Sequence, residues 1–258
     1  MSRHIPLYGA PNFRDFGGYR TGDGRRRVKY GRLFRAGHLA DLNETDVALL
    51  ANLGITHLYD FRRSFEQAHK PNHPSVLAAI DHVIHLDITP GNQTGSLEIV
   101  TQADSLPSDS HAFMCDINRE LVWSHKAAFK QVFEGLLADP EATILVHCAA
   151  GKDRTGFAAA VVLLALGVEL DQVMEDYAMT GRYFIPHEQI PMLREKYGFD
   201  GVPDAVLEPI VATRPEYLQA AIDAMLAHSG SVDQYLMDAF GVGSAERQRL
   251  QEWLTEAL

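Results

Sequence analysis

The fold of this chain is decided by a ten-residue stretch, His147-Cys148-Ala149-Ala150-Gly151-Lys152-Asp153-Arg154-Thr155-Gly156. Residues 142–146 before it are mostly apolar, in a run short enough for a buried strand. The apolar run over residues 157–166 after it is typical of a buried helix. The stretch therefore predicts a tight strand-to-helix connection that carries one cysteine and one arginine. We call residues 148–154 the cysteine loop.

The cysteine loop has the features of an anion-binding site. Backbone N–H groups there have no strand partner and can converge on an anion, and the following helix adds its own free N–H groups and positive dipole end. Gly151 suits positive φ or a close backbone approach, and the planar fork of Arg154 suits two phosphate oxygens. The same positive surroundings favour thiolate over thiol, so we expect Cys148 to be an ionised nucleophile at neutral pH.

The pattern His-Cys-x5-Arg-Thr resembles the signature of cysteine-dependent protein tyrosine phosphatases, and its fuller form HCAAGKDRTG resembles an atypical bacterial tyrosine/serine phosphatase branch. Further blocks similar to that branch occur in the expected order, so the resemblance spans nearly the whole chain. They are Asn12-Phe13-Arg14-Asp15-Phe16-Gly17-Gly18, Arg32-Leu33-Phe34-Arg35-Ala36-Gly37-His38-Leu39, Tyr59-Asp60-Phe61-Arg62 with Glu66, and Gly230-Ser231-Val232-Asp233-Gln234-Tyr235-Leu236.

The resemblance implies a two-step mechanism. Cys148 attacks phosphorus in line, a cysteinyl-phosphate forms, and water then hydrolyses it. Arg154 holds the equatorial oxygens together with the substrate-binding positions of the loop, which are Ala149, Ala150, Gly151 and Lys152. Thr155 resembles the residue whose hydroxyl donates to the departing sulfur, and His147 is expected to orient the loop.

The resemblance gives Lys152 a further reading. A lysine at this position is associated with acceptance of phosphoinositides because it adds charge at the pocket rim. Separately, Asn12, Arg14 and Asp15 are expected to order the N-terminal turn beneath the site rather than to touch substrate, and Arg35 is similarly placed.

The identity of the general acid is left open by the sequence. The Trp-Pro-Asp tripeptide of better-known members is absent. Asp153, inside the loop, is favoured slightly, and Asp87, at the end of a predicted strand, is the second candidate. Asp60 is expected to brace a strand-to-helix corner instead.

Composition limits the function classes. Lys and Arg number 23 against 34 Asp and Glu, a net charge of −11 that disfavours nucleic-acid and anionic-membrane binding. Two cysteines fit a reducing compartment. The start of the sequence has no long apolar leader, so we expect a cytoplasmic protein without membrane insertion, with non-classical secretion left open. No metal-ligand spacing is present, and no metal or cofactor is expected.

An alternating pattern of strands and helices predicts an α/β fold in a single domain over residues 1–258. Its small, largely parallel sheet is flanked by helices, and its C-terminal half is helical. The resemblance implies that this fold is cysteine-phosphatase-like. Strands are predicted at 28–34, 55–61, 82–88 and 143–147, and helices at 44–53, at 117–138 and from 155 onward, where prolines divide them. Polar residues 89–116 predict a lid or disorder, and residues 182–215 predict a lid or peripheral packing helices.

The predicted function is hydrolysis of phosphotyrosine, with phosphoserine/threonine or phosphoinositides as further substrates. The expected partner is thus a phosphorylated protein, phospholipid or inositol phosphate. Three alternatives stay open: an inositol polyphosphate or other small-molecule phosphatase, a rhodanese-like sulfurtransferase, and a non-catalytic phosphate-binding module.

Overall fold

A five-stranded, mostly parallel sheet forms the centre of the computed structural model, which describes residues 3–91 and 105–258. Its strands run in the order β1-β3-β6-β4-β5, and only the edge strand β1 is antiparallel to its neighbour. The strands are β1 (Arg14–Asp15), β3 (Leu33–Ala36), β4 (His57–Asp60), β5 (His82–His85) and β6 (Ile144–His147). Strands β2 (Arg26–Val28) and β7 (Thr255–Ala257) pair separately as an antiparallel ribbon. The predicted α/β class and parallel sheet are confirmed.

Strand β6 occupies the middle of the sheet because both of its faces are apolar. Ile144 and Val146 point into the larger hydrophobic cluster, and Leu145 points into the smaller one on the opposite face. This alternation is the period of a pleated strand. The sheet is therefore covered on both sides, and the carboxyl end of β6 opens into the cysteine loop.

The first helix is α1 (Glu44–Ala51), whose N-cap is Asn43 and in which Asp46 completes a capping box. The helices between α1 and the cysteine loop in the sequence are α2 (Ser64–His69), α3 (Pro74–Ala79), α4 (Pro107–Ser124) and α5 (Lys126–Ala138). Those after it are α6 (Asp153–Ala165), α7 (Leu170–Ala178), α8 (Thr180–Tyr183), α9 (Pro186–Tyr197), α10 (Asp204–Val211), α11 (Pro215–Ser229), α12 (Val232–Phe240) and α13 (Ser244–Leu254).

Several predicted boundaries were wrong. The strand predicted at 28–34 is two strands, β2 and β3, because Gly31 turns the chain at φ 77°. The helix predicted at 117–138 is the end of α4 and all of α5, which meet at the non-helical His125. Pro191 and Pro209 lie inside α9 and α10 rather than between helices. Pro186 and Pro215 do open helices, as expected for a residue without an N–H donor.

The segment predicted as a lid or disorder at 89–116 lies partly outside the described residues, which omit 92–104. Its last ten residues are the beginning of α4, where Ser110, Phe113 and Met114 are buried. That part of the segment is ordered core helix and not a mobile connection. In the described part of the chain, no helix combines the length and apolar character that a membrane crossing requires.

Candidate active site

The cysteine loop turns tightly against strand β3. Gly151 adopts φ 68°, and a Cβ there would lie 2.5 Å from the backbone of Ala36. Both the left-handed conformation and the close approach therefore require glycine, as the sequence predicted. Helix α6 begins two residues later at Asp153, so its free N–H groups face the loop.

Carbonyl groups on the outer side of the loop are held by neighbouring donors. The amide of His38 donates to Ala149 O at 3.0 Å. Arg35 donates to Gly151 O at 2.8 Å, and Asn12 Nδ2 donates to the same oxygen at 2.9 Å. Because a trans peptide directs its N–H opposite to its C=O, the N–H groups of residues 150 and 152 point toward the inner side of the loop. Inward-facing amides of this kind form an anion cradle.

Cys148 directly follows β6 at the start of the loop and is 2% exposed, and both cysteines of the chain are free. Burial lowers the pKa of Arg154, but the interactions of its guanidinium with Cys148 and Glu66 outweigh burial and hold that pKa above its ordinary value. The Thr155 hydroxyl is fully buried and has no hydrogen-bond partner within the described residues.

Arg154 is oriented by a carboxylate that the sequence analysis did not assign to it. Its two terminal nitrogens meet Glu66 on α2 at 2.7 and 3.2 Å. Its Nη1 also donates to Phe61 O at 3.0 Å and to Ile88 O at 3.2 Å. The sequence offered one hint: Glu66 belongs to the third block of the family resemblance, which gave this residue no role.

Lys152 does not lie at an exposed pocket rim, where its association with phosphoinositides had placed it. Its ammonium is buried and donates to Ile210 O at 2.7 Å and Ala212 O at 2.8 Å, at the end of α10. Burial lowers its pKa, although the charges of Asp153 and Cys148 oppose that shift. The expected rim position is wrong because two carbonyls 58 and 60 residues downstream take up the ammonium.

Asp153 turns toward the helices rather than along the loop. Its Oδ1 accepts from Asn118 at 3.2 Å and from the Tyr177 hydroxyl at 3.1 Å. Its Oδ2 lies 3.5 Å from Lys152 Nζ. Three partners on the side of helices α4 and α7 and of Lys152 therefore engage this carboxylate.

Asp87 is exposed and sits beside Ile88, whose carbonyl contacts Arg154. Its carboxylate accepts from the Ser64 amide at 3.0 Å, from the Ser64 hydroxyl at 2.8 Å and from Thr89 at 3.1 Å. Although partial burial opposes the shift, these hydrogen bonds hold the pKa of Asp87 below its ordinary value. Asp87 thus precedes a residue that contacts Arg154, while its own carboxylate binds Ser64 and Thr89.

Asp60 is fully buried at the end of β4. It makes a bidentate pair with Arg62, accepts from the Arg62 amide, and lies 3.4 Å from His147 Nε2. This arrangement is the strand-to-helix brace that the sequence suggested.

Two helices cover the loop. A separate apolar cluster formed by α9, α10 and adjoining residues takes in Ala150 of the cysteine loop. The Arg63 guanidinium donates to Tyr197 OH on α9 at 2.9 Å. Residues 186–211 therefore pack against one side of the loop, where Ala149, Ala150 and Arg154 stay partly exposed.

A second buried carboxylate near the loop was missed by the sequence analysis. Asp176 on α7 is paired with Arg14 and Arg35, at side-chain exposures of 2% or less for all three. Both arginines had been placed beneath the site, but their acidic partner lies more than 140 residues away in sequence and in no quoted motif.

The chain is similar in sequence to known tyrosine phosphatases. The model of the tyrosine phosphatase family matches residues 5–256. A tyrosine-protein phosphatase of Cupriavidus necator is 33% identical over 237 residues, which cover 91% of this chain and 83% of the relative. The triple specificity protein phosphatase PtpB of Mycobacterium tuberculosis is 29% identical over 287 residues, covering 96% and 97%. A tyrosine-protein phosphatase of Nostoc commune is 28% identical over 228 residues, covering 86% and 74%.

The chain belongs to the tyrosine phosphatase family. It is a phosphoric monoester hydrolase of the protein-tyrosine-phosphatase type.

Proposed function

We propose that the Cys148 thiolate takes the phosphoryl group from phosphotyrosine to give a cysteinyl-phosphate that water hydrolyses. The observation that carries this proposal is the position of Cys148, which is buried directly after β6 and opens a loop whose carbonyls at Ala149 and Gly151 are held from outside, so that the amides of residues 150 and 152 face inward. In line attack forms the S–P bond as the ester P–O bond breaks, and charge on the equatorial oxygens is held by the amides and the guanidinium. The unpartnered Thr155 hydroxyl is available to donate to the sulfur when water displaces it.

Asp87 is the better candidate for the acid that protonates the departing oxygen. The sequence slightly favoured Asp153, but three partners on the helix side engage that carboxylate. Asp87 is exposed and precedes Ile88, whose carbonyl accepts from Arg154. Its carboxylate accepts from the Ser64 amide and from the hydroxyl groups of Ser64 and Thr89. It becomes an effective acid when substrate binding raises its pKa, because a phosphate dianion opposes a second negative charge nearby.

Residues 186–211 act as a lid in this proposal. They cover the loop through the apolar contact at Ala150 and through the Arg63–Tyr197 hydrogen bond. A phosphotyrosine side chain reaches Cys148 only after these helices move. Lid opening is therefore a step that precedes chemistry.

Phosphotyrosine is the primary substrate because a phenol is a better leaving group than a serine alcohol. The PtpB relative is named for triple specificity, so activity toward phosphoserine/threonine or phosphoinositides is part of the proposal for this chain. The substrate is then a phosphorylated protein or an inositol-containing phosphate. The two free cysteines favour work in a reducing cytoplasm.

The test is a substrate panel with purified protein and no added metal: a phosphotyrosine peptide, a phosphoserine peptide, a phosphoinositide and a soluble inositol polyphosphate. The phosphotyrosine peptide should be hydrolysed fastest, and Cys148→Ser should abolish turnover while inorganic phosphate still binds. Cys115→Ser is the matched control, because it changes a buried cysteine of α4 and should retain turnover. Normal turnover by Cys148→Ser would show that Cys148 is not the nucleophile. Faster hydrolysis of the soluble inositol polyphosphate than of the phosphotyrosine peptide would show that the substrate is a small molecule.

A further inference from the structure

One carbonyl group of the cysteine loop accepts hydrogen bonds from two buried side chains. Gly151 O accepts from both Arg35 and Asn12, at 2.8 and 2.9 Å. The peptide that contains this oxygen carries the inward-facing N–H of Lys152, so fixing the oxygen fixes a donor of the anion cradle. Asn12 makes this contact from a left-handed conformation, φ 61°, which asparagine tolerates better than most residues.

Both side chains that hold Gly151 lead back to a single carboxylate. Arg35 pairs directly with Asp176 Oδ2. Asn12 Oδ1 accepts from Arg14, whose Nε lies 3.3 Å from Asp176 Oδ1 and whose Nη2 donates to Asp176 O at 2.8 Å. Asp176 therefore sets the orientation of the two guanidinium groups on which the Gly151 contacts depend.

These groups are charged in a dry environment. Burial and the neighbouring charge of Arg35 lower the pKa of Arg14 to about 10, so Arg14 is still protonated at neutral pH. Burial opposes ionisation of Asp176, but Arg14 and Arg35 outweigh it and hold its pKa below the ordinary value. Two cations and one anion thus lie under the loop, and a buried arrangement of this kind is costly unless its geometry is well satisfied.

We propose that Asp176 is a positioning residue for catalysis, which fixes the Gly151 carbonyl through Arg35 and through the Arg14–Asn12 pair and so keeps the cradle amides aimed at phosphate. The inference rests on the proposed function of the cysteine loop. It means that a residue of α7, a helix that contains none of the sequence motifs, controls the shape of the anion site.

Asp176→Asn distinguishes a positioning role from a purely electrostatic role, because the two roles predict opposite changes in phosphate affinity. The substitution adds one net positive charge beneath the loop, so electrostatics alone would tighten the binding of inorganic phosphate. Loss of positioning instead weakens phosphate binding, by about tenfold, and lowers kcat/KM on an aryl phosphate by about a hundredfold. A variant that binds phosphate as tightly as the parent, or more tightly, overturns the proposal.

Asn12→Gly is the second variant, because glycine accepts φ 61° without strain and the substitution changes no charge. It should shift phosphate affinity and kcat/KM in the same direction as Asp176→Asn. Tyr235→Phe is the control, since it removes a buried 2.8 Å hydrogen bond to Val122 O outside the loop. If Asp176→Asn fails to give a cooperative melting transition, Asn12→Gly decides, and parent values in that variant overturn the proposal.

Phosphate affinity is measured by phosphorus NMR titration in a Cys148→Ser background, and turnover in the parent background. The binding comparison does not depend on which residue is the nucleophile. Residual turnover by Cys148→Ser would therefore defeat the proposed function and leave the phosphate comparison valid. Unchanged phosphate affinity on substitution of Asp176 or Asn12 would defeat the positioning role alone.

Discussion

Glu66 and Arg154 form a two-pronged ion pair in which Oε2 and Oε1 meet Nη1 and Nη2 at 2.7 and 3.2 Å. The side chains are 6% and 11% exposed. The pair is therefore shielded from solvent, unlike most surface ion pairs, and it fixes the plane of the guanidinium.

Glu66→Gln should lower kcat by about tenfold to a hundredfold, because one charge-assisted hydrogen bond is lost and the guanidinium is less well aligned in the transition state. KM should change less, since Arg154 keeps its charge. Steady-state kinetics on an aryl phosphate measure both constants.

Glu256→Gln is the matched control for this prediction. Glu256 pairs with Arg27 at the same 2.7 Å, but that pair is about 40% exposed and lies on the β2–β7 ribbon. Its loss should leave kcat unchanged. Equal effects of the two substitutions would show that the Glu66 contact has no special role in turnover.

Asp87→Asn and Asp153→Asn should differ in their dependence on the leaving group. A general acid matters most for a poor leaving group, so Asp87→Asn should reduce kcat on phosphotyrosine about a hundredfold and reduce it far less on p-nitrophenyl phosphate. Asp153→Asn should affect both substrates alike, since that side chain binds Asn118 and Tyr177. The ratio of kcat values for the two substrates measures the difference.

The opposite pattern would restore Asp153 as the acid. If neither variant discriminates between the two leaving groups, neither carboxylate is the acid.

Local sequence was sufficient to predict the loop itself. An apolar run ending at His147, a glycine at 151 and an apolar run after Thr155 describe a strand, a turn and a helix with little ambiguity, and the structure has all three. Each element there is specified by neighbours in the chain. The general position of the loop at a strand end followed from the parallel sheet.

Contacts between distant parts of the chain could not be predicted in the same way. Glu66 lies 88 residues before Arg154, and Asp176 lies 141 residues after Arg35. Nothing in the local pattern distinguishes these carboxylates from solvated ones. The burial of Lys152 depends on where α10 ends in space, which no periodicity fixes.

Acid should destabilise the protein through its buried carboxylates. Burial alone would raise the pKa of Asp60, but pairing with His147 and Arg62 holds that pKa far below its ordinary value. A lowered pKa means that the unfolded chain binds the proton first as pH falls, so stability is complete at neutral pH and declines below about pH 4. Urea unfolding at a series of pH values should show this decline.

Asp60→Asn should reduce the free energy of unfolding at pH 7 by about 3–5 kcal/mol, because Arg62 loses its buried partner. It should also flatten the decline below pH 4. Substitution of the exposed Asp223 on α11 should change neither quantity. A decline of unchanged steepness in Asp60→Asn would assign the acid sensitivity to other groups.

Lys152→Met tests whether the lysine anchors the proposed lid or binds the substrate. Removing the ammonium leaves Ile210 O and Ala212 O without their donor, so the free energy of unfolding should fall by about 2 kcal/mol. Hydrogen exchange should become faster in α9 and α10, while kcat on a small aryl phosphate changes little. Lys130→Met is the control, because Lys130 forms an exposed pair with Glu134 on α5. Unchanged exchange together with weakened phosphate binding would mean that the ammonium leaves α10 and reaches the substrate, which would return Lys152 to the pocket.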